Sequence, residues 1–191
     1  MLAAVVSTAG GQIACSVNRD IENPAFPVTM DEAKADLDRM RAAPVPLERP
    51  VVVLAGYRSW PVLAQGVKWR LFPVTSGNTD DFLPISYSFQ TDIEKMARMV
   101  VDRVQEQWPS DVDGETIEVD VVGISMGGLV ARTAALELGD TPSGGEQRTR
   151  RLRVRRLFTM GSPHTGAILA EKIAPDQAAK NMKPGSDFLA H

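Results

Sequence analysis

Apolar residues along this chain recur with two different periods, and the switches between them predict its elements. Val51 to Ala55 is an unbroken apolar, mostly β-branched run that stops at Gly56, the pattern of a parallel strand covered on both faces. Ile117 to Ile124 (IEVDVVGI) and Val154 to Met160 (VRRLFTM) read as further strands, the first of them apolar on both faces in its second half. Phe82 to Phe89 (FLPISYSF) also reads as a strand. Pro84 has no amide N–H to give to a ladder, so that strand belongs at a sheet edge or has the proline at its start.

Helical spacing fills the gaps between these strands. Ile93, Met96, Ala97, Val100, Val101, Val104 and Trp108 keep a 3.6-residue period behind a capping box at Thr91 and Glu94. Met30, Ala33, Leu37 and Met40 do the same behind Thr29 and Glu32, which predicts a helix packed on the edge of a domain. Leu129 to Leu138 predicts a helix stopped by Gly139, a short helix is expected around Val62 to Leu71, and Ala167 to His191 holds a short helical piece and no strand. Strands alternating with helices define an α/β fold, a mostly parallel sheet flanked by helices with right-handed crossovers. Residues 1–28, with two prolines near their end, read as a leader or extended segment. Residues 29–191 read as the domain, with its core from about residue 50.

Composition narrows the function classes. With 191 residues, 43% of them hydrophobic, the chain suits one sizeable core. A formal net charge of -3 gives no electrostatic reason to expect nucleic acid as a partner. One cysteine, Cys15, and two histidines build neither a disulfide framework nor a zinc site. No run reaches the ~18 to 20 apolar residues of a transmembrane helix. Met1 to Cys15 has the short apolar run and terminal cysteine of a lipoprotein signal but no basic residue before them. The expected location is the cytoplasm, with export and lipid anchoring at Cys15 as the alternative.

Chemistry concentrates where the strand ending at Ile124 meets the next helix. Gly123-Ile124-Ser125-Met126-Gly127 is a G-x-S-x-G pentapeptide, extended by Gly128. Such a turn holds its serine in a strained conformation, and flanking glycines remove the β-carbons that would clash there. Ser125 is therefore the candidate nucleophile, its hydroxyl at the carboxyl edge of the sheet near the positive end of a helix. The backbone N–H of Met126 is one candidate oxyanion donor. The N–H of Tyr57, in the loop after the strand ending at Ala55, is the second.

Four blocks carry a family resemblance: LAGYRSW, VDVVGISMGGLVAR, LFTMGSPHTGA and NMKPGSDFLA. Together they resemble bacterial triacylglycerol lipase-like α/β-hydrolases over Pro50 to His191. The resemblance implies hydrolysis of small-molecule or lipid-like esters through a Ser-His-acid triad, with no metal or organic cofactor. It departs at Ala55, where relatives often carry a histidine. The resemblance makes His164, in the GSPHTG turn, a residue beside the site rather than the base, and His191 is the last residue. The fold's order of serine, acid, histidine then places the acid and the base beyond residue 191, with the last strands of the sheet. Two rivals remain: an acyltransferase of the same fold, and a non-catalytic binding domain that keeps the turn alone.

Other features read more plainly. Asp176 and Asp187 are expected on solvated surface or as helix caps. Arg148, Arg150, Arg151, Arg153, Arg155 and Arg156 suit a solvated loop leading into a sheet edge better than an anion site, given the acidic balance. Trp60, Val62, Leu63, Trp69, Leu71 and Phe72 suit an apolar lid or acyl pocket and core packing equally. Ser162, followed by Pro163, lacks the frame of a second nucleophile.

Overall fold

The computed structural model describes residues 27–87, 90–136, 138 and 149–190. Cys15, Gly139, Arg148 and His191 lie outside these residues. The chain divides into two compact units, residues 1–39 and 40–191.

Helix α1 (Met30–Ala42) starts with the expected reciprocal cap: Thr29 N–H donates to Glu32 Oε2 at 2.8 Å and Glu32 N–H to Thr29 Oγ1 at 3.3 Å. It buries none of its residues, however. Seven of its 13 residues are charged, which leaves Met30, Leu37 and Met40 as its only large apolar side chains. That stripe is too thin to exclude water.

The sheet is wholly parallel. Strands β1 (Val51–Leu54), β2 (Phe82–Ile85), β3 (Glu115–Ile124) and β4 (Arg151–Met160) lie in the order β2-β1-β3-β4. β1 is buried at every residue, as its unbroken apolar run requires. β2 is an edge strand, which accommodates Pro84, and it ends at Ile85, earlier than its sequence pattern suggests. β4 begins at Arg151, three residues before the predicted start. Its arginines pair across the strand boundary: Arg151 with Glu115 at 2.5 Å, Arg153 with Glu118 at 3.6 Å and Arg156 with Asp120 at 3.6 Å. The basic cluster is therefore mostly strand rather than loop, its charge opposed by β3 carboxylates. An extra residue in β3 and a later one in β4 offset each other, so Glu115↔Arg151 and Ile124↔Met160 keep one register.

Helix α3 (Ile93–Gln107) buries the expected set Ile93, Met96, Ala97, Val100, Val101 and Val104. Each large member contributes ~1.5 to 3 kcal/mol of apolar burial. Its cap is Asp92, not the expected Thr91: Asp92 Oδ1 accepts from Glu94 N–H at 2.9 Å and Lys95 N–H at 3.3 Å. Helix α4 (Gly127–Ala135) starts two residues earlier than its apolar pattern predicts and ends before Leu136. Both α3 and α4 pack on β3 and β4, while helix α2 (Pro61–Leu71) packs on β1 and β2. Three short helices follow β4: α5 (Ile168–Lys172), α6 (Gln177–Asn181) and α7 (Asp187–Ala190).

Because every strand runs the same way, the carboxyl ends of all four meet at one edge of the sheet. The loops after β1, β3 and β4 leave from that edge, where ligands of parallel sheets bind.

Candidate active site

Ser125 follows the last residue of β3 and has φ 51°, left-handed backbone that costs an L-residue with a β-carbon ~1 to 2 kcal/mol. Two hydrogen bonds help hold it there. Ser125 N–H donates to Met160 O at the end of β4 (2.8 Å), and Gly128 N–H donates to Ser125 O (3.2 Å). Tight backbone packing does the rest. A β-carbon on Gly123 would sit 2.6 Å from Gly128 N, and one on Gly127 would sit 2.5 Å from Leu54 O. One on Gly128 would sit 2.8 Å from Ser162 Cβ and 2.9 Å from Thr159 Cγ2. These glycines let α4 start hard against β1, β3 and the turn after β4.

The loop after β1 meets the serine from the other side. A β-carbon on Gly56 would stand 3.1 Å from Ser125 Cβ and 3.7 Å from Ser125 Oγ, so Gly56 backs directly onto the side chain. Among the described residues, neither Tyr57 N–H nor Met126 N–H has a hydrogen-bond acceptor in the protein. Unpaired donors beside a serine on a strand-to-helix turn are what an oxyanion requires.

Tyr57 and Arg58 are tied down by a residue that the sequence presents as surface or a simple cap. The Tyr57 hydroxyl donates to Asp176 Oδ2 at 2.7 Å, and Arg58 Nη2 reaches the same oxygen at 3.0 Å. The other oxygen, Oδ1, accepts from Ala179 N–H at 2.9 Å, capping α6. The Asp176 side chain is 9% exposed, so the solvated-surface alternative does not hold, whereas the cap does. Burial pulls the Asp176 pKa up, but the Tyr57 hydroxyl, the Ala179 N–H and the Arg58 guanidinium outweigh it and hold the carboxyl below its ordinary value. Burial, reinforced by the carboxylate, pushes the Tyr57 phenol up to about 12. Arg58 itself has φ 47° and lies over the Tyr57 ring, 5.4 Å from its centroid.

His164 sits in the turn after β4, its N–H bonded to Ser162 O at 2.9 Å. Its Nδ1 lies 3.4 Å from Arg132 Nη1 on α4. A guanidinium only donates, so Nδ1 is the acceptor in any hydrogen bond between the two. Ser162 Oγ, buried without a partner among the described residues, faces α4 at Gly128.

Apolar side chains flank this edge in the open. Trp60 (80% exposed), Val62 (72%) and Leu63 follow the β1 loop, and Ile168 (72%), Leu169 (70%) and Ile173 follow the β4 turn. Trp69 is also exposed, whereas Leu71 and Phe72 pack against the core. Core packing therefore accounts for only Leu71 and Phe72 among the six residues from Trp60 to Phe72 that the sequence fits equally to a lid or to the core. Among the described residues no cluster of His, Cys, Asp and Glu is arranged to hold a metal ion, and no helix is long and apolar enough to cross a membrane.

A parallel α/β sheet with a left-handed serine between its third strand and the next helix defines the structural class. The family described as putative serine esterase (DUF676) matches residues 86–181, just over half the chain, and the chain belongs to that family. At this coarse level it is a serine hydrolase of the esterase kind. No curated protein and no solved structure matches it.

Proposed function

We propose that this chain hydrolyses carboxylic esters of lipid-like character with Ser125 as the nucleophile. The serine Oγ attacks the acyl carbon, the alcohol leaves with the proton, and water then releases the acid from the acyl-enzyme. The observation that carries this reading is the left-handed Ser125 backed by Gly56, with the N–H groups of Met126 and Tyr57 free to receive the oxyanion. Removal of one such donor costs ~10²- to 10³-fold in turnover. The six exposed apolar side chains on the segments after β1 and β4 support a lipid-like acyl group rather than a polar one.

The test is a series of p-nitrophenyl esters from acetate to decanoate, run on the wild type and on Ser125→Ala. Activity that requires Ser125 and rises with chain length supports the reading. Activity indifferent to Ser125→Ala refutes the nucleophile, and activity that falls with chain length refutes the lipid-like substrate. A second reading, a binding domain that keeps the turn without its chemistry, draws on the engagement of His164 Nδ1 by Arg132. It predicts a folded protein that binds long-chain esters and leaves them intact.

A further inference from the structure

We propose that Asp176 is a positioning residue: it latches the loop Gly56–Arg58 to the start of α6 and so fixes where the Tyr57 backbone N–H stands relative to Ser125. The inference rests on the reading of Ser125 as nucleophile, and it adds a residue that no motif in the sequence marks.

Four observations converge on it. The loop is short and one of its residues is strained: Arg58 has φ 47°, a conformation that a non-glycine residue adopts only where its surroundings hold it. The restraint on the outer side of the loop comes from one carboxylate. Asp176 Oδ2 takes both the Tyr57 hydroxyl (2.7 Å) and the Arg58 guanidinium (3.0 Å), and Arg58 closes over the Tyr57 ring. That carboxylate is itself immobilised, because Oδ1 caps α6 through Ala179 N–H and α6 is anchored at the mouth of α3 by Ala178 N–H to Thr91 O at 2.7 Å. On its inner side the same loop packs against Ser125 through Gly56, where an added β-carbon would stand only 3.1 Å from Ser125 Cβ. A shift at Tyr57 thus passes directly to the N–H that the reading above assigns as an oxyanion donor. Errors of about an ångström in such a donor are enough to change turnover.

The test separates the latch from the cap and from the chemistry. Asp176→Ser keeps a capping hydroxyl for α6 but is too short to reach Tyr57 or Arg58, and Tyr57→Phe removes only the hydroxyl. Limited trypsin digestion reads the loop directly, since Arg58 is a cleavage site whose side chain the latch occupies. Cleavage after Arg58 is expected to quicken about tenfold or more in Asp176→Ser and by less in Tyr57→Phe, with cleavage after Lys180 in α6 unchanged. With a soluble ester, both variants are expected to lose about tenfold in kcat with KM within about twofold.

Unchanged cleavage after Arg58 in Asp176→Ser overturns the latch. Faster cleavage with kcat unchanged overturns the positioning role. A wild-type protein that neither turns over ester nor labels at Ser125 overturns the esterase reading alone, and the cleavage result then decides the latch by itself.

Discussion

At Ser125 the backbone conformation and the proposed chemistry oppose stability. Left-handed φ is costly for any residue with a β-carbon, and glycine escapes that cost. Ser125→Gly is therefore expected to be more stable than Ser125→Ala by about 1 kcal/mol in urea unfolding; equal stabilities would mean that the turn is not strained. Gly128→Ala is expected to cost ~1 to 3 kcal/mol, because its methyl group would overlap Ser162 and Thr159. Adding Ser162→Gly should restore part of that loss, and no recovery would place the clash elsewhere. Asp176 has a pH signature. Its folded pKa is depressed, so its stabilisation is complete above the ordinary Asp value of ~3.9 and fades as pH falls through the lower folded value. The Tm gap between wild type and Asp176→Asn should be full at pH 5 and close towards pH 2, and a gap that widens in acid would contradict the assignment.

Among the elements, α3 shows what a sequence reveals and what it hides. Its buried face was legible residue by residue, because packing on a sheet demands the 3.6 period that the apolar residues keep. Its cap was not. Thr91 stands three residues before Glu94, the spacing of a capping box, whereas three residues after Asp92 is Lys95, yet backbone geometry selects Asp92. Asp92→Ala is accordingly expected to cost about 1 kcal/mol and Thr91→Ala close to none, read from thermal unfolding; the reverse order would restore the capping box.

Strand β4 was legible only in its apolar half. Its arginines join the sheet because β3 supplies Glu115, Glu118 and Asp120 opposite them, pairings between residues more than thirty positions apart that no local pattern discloses. The same limit applies at the candidate site. The G-x-S-x-G turn is contiguous and could be read directly, whereas the Asp176 contacts span 118 and 119 residues of sequence. Arg58 gave no signal, since neither its strain nor its partner is local.

For the molecule as a whole, order along the sheet decides where chemistry gathers. Parallel strands bring the loops after β1, β3 and β4 to one edge, so the Gly56–Arg58 loop, the Ser125 turn and the His164 turn lie together despite their separation in sequence. The same order puts β4 at an edge of the described sheet, with Leu157, Phe158 and Met160 exposed. The half of that edge beyond the arginines is apolar, and an apolar edge invites pairing with another strand. Phe158→Lys is expected to lower self-association in light scattering at high concentration without lowering Tm, and unaltered scattering would show that this edge does not drive association.

The central claim, that Ser125 is the nucleophile, is tested most directly by labelling with a fluorophosphonate probe and weighing the intact protein beside Ser125→Ala. The account predicts one adduct on the wild type and none on the variant. A folded wild type that takes up no probe, or a variant that labels equally well, would contradict it.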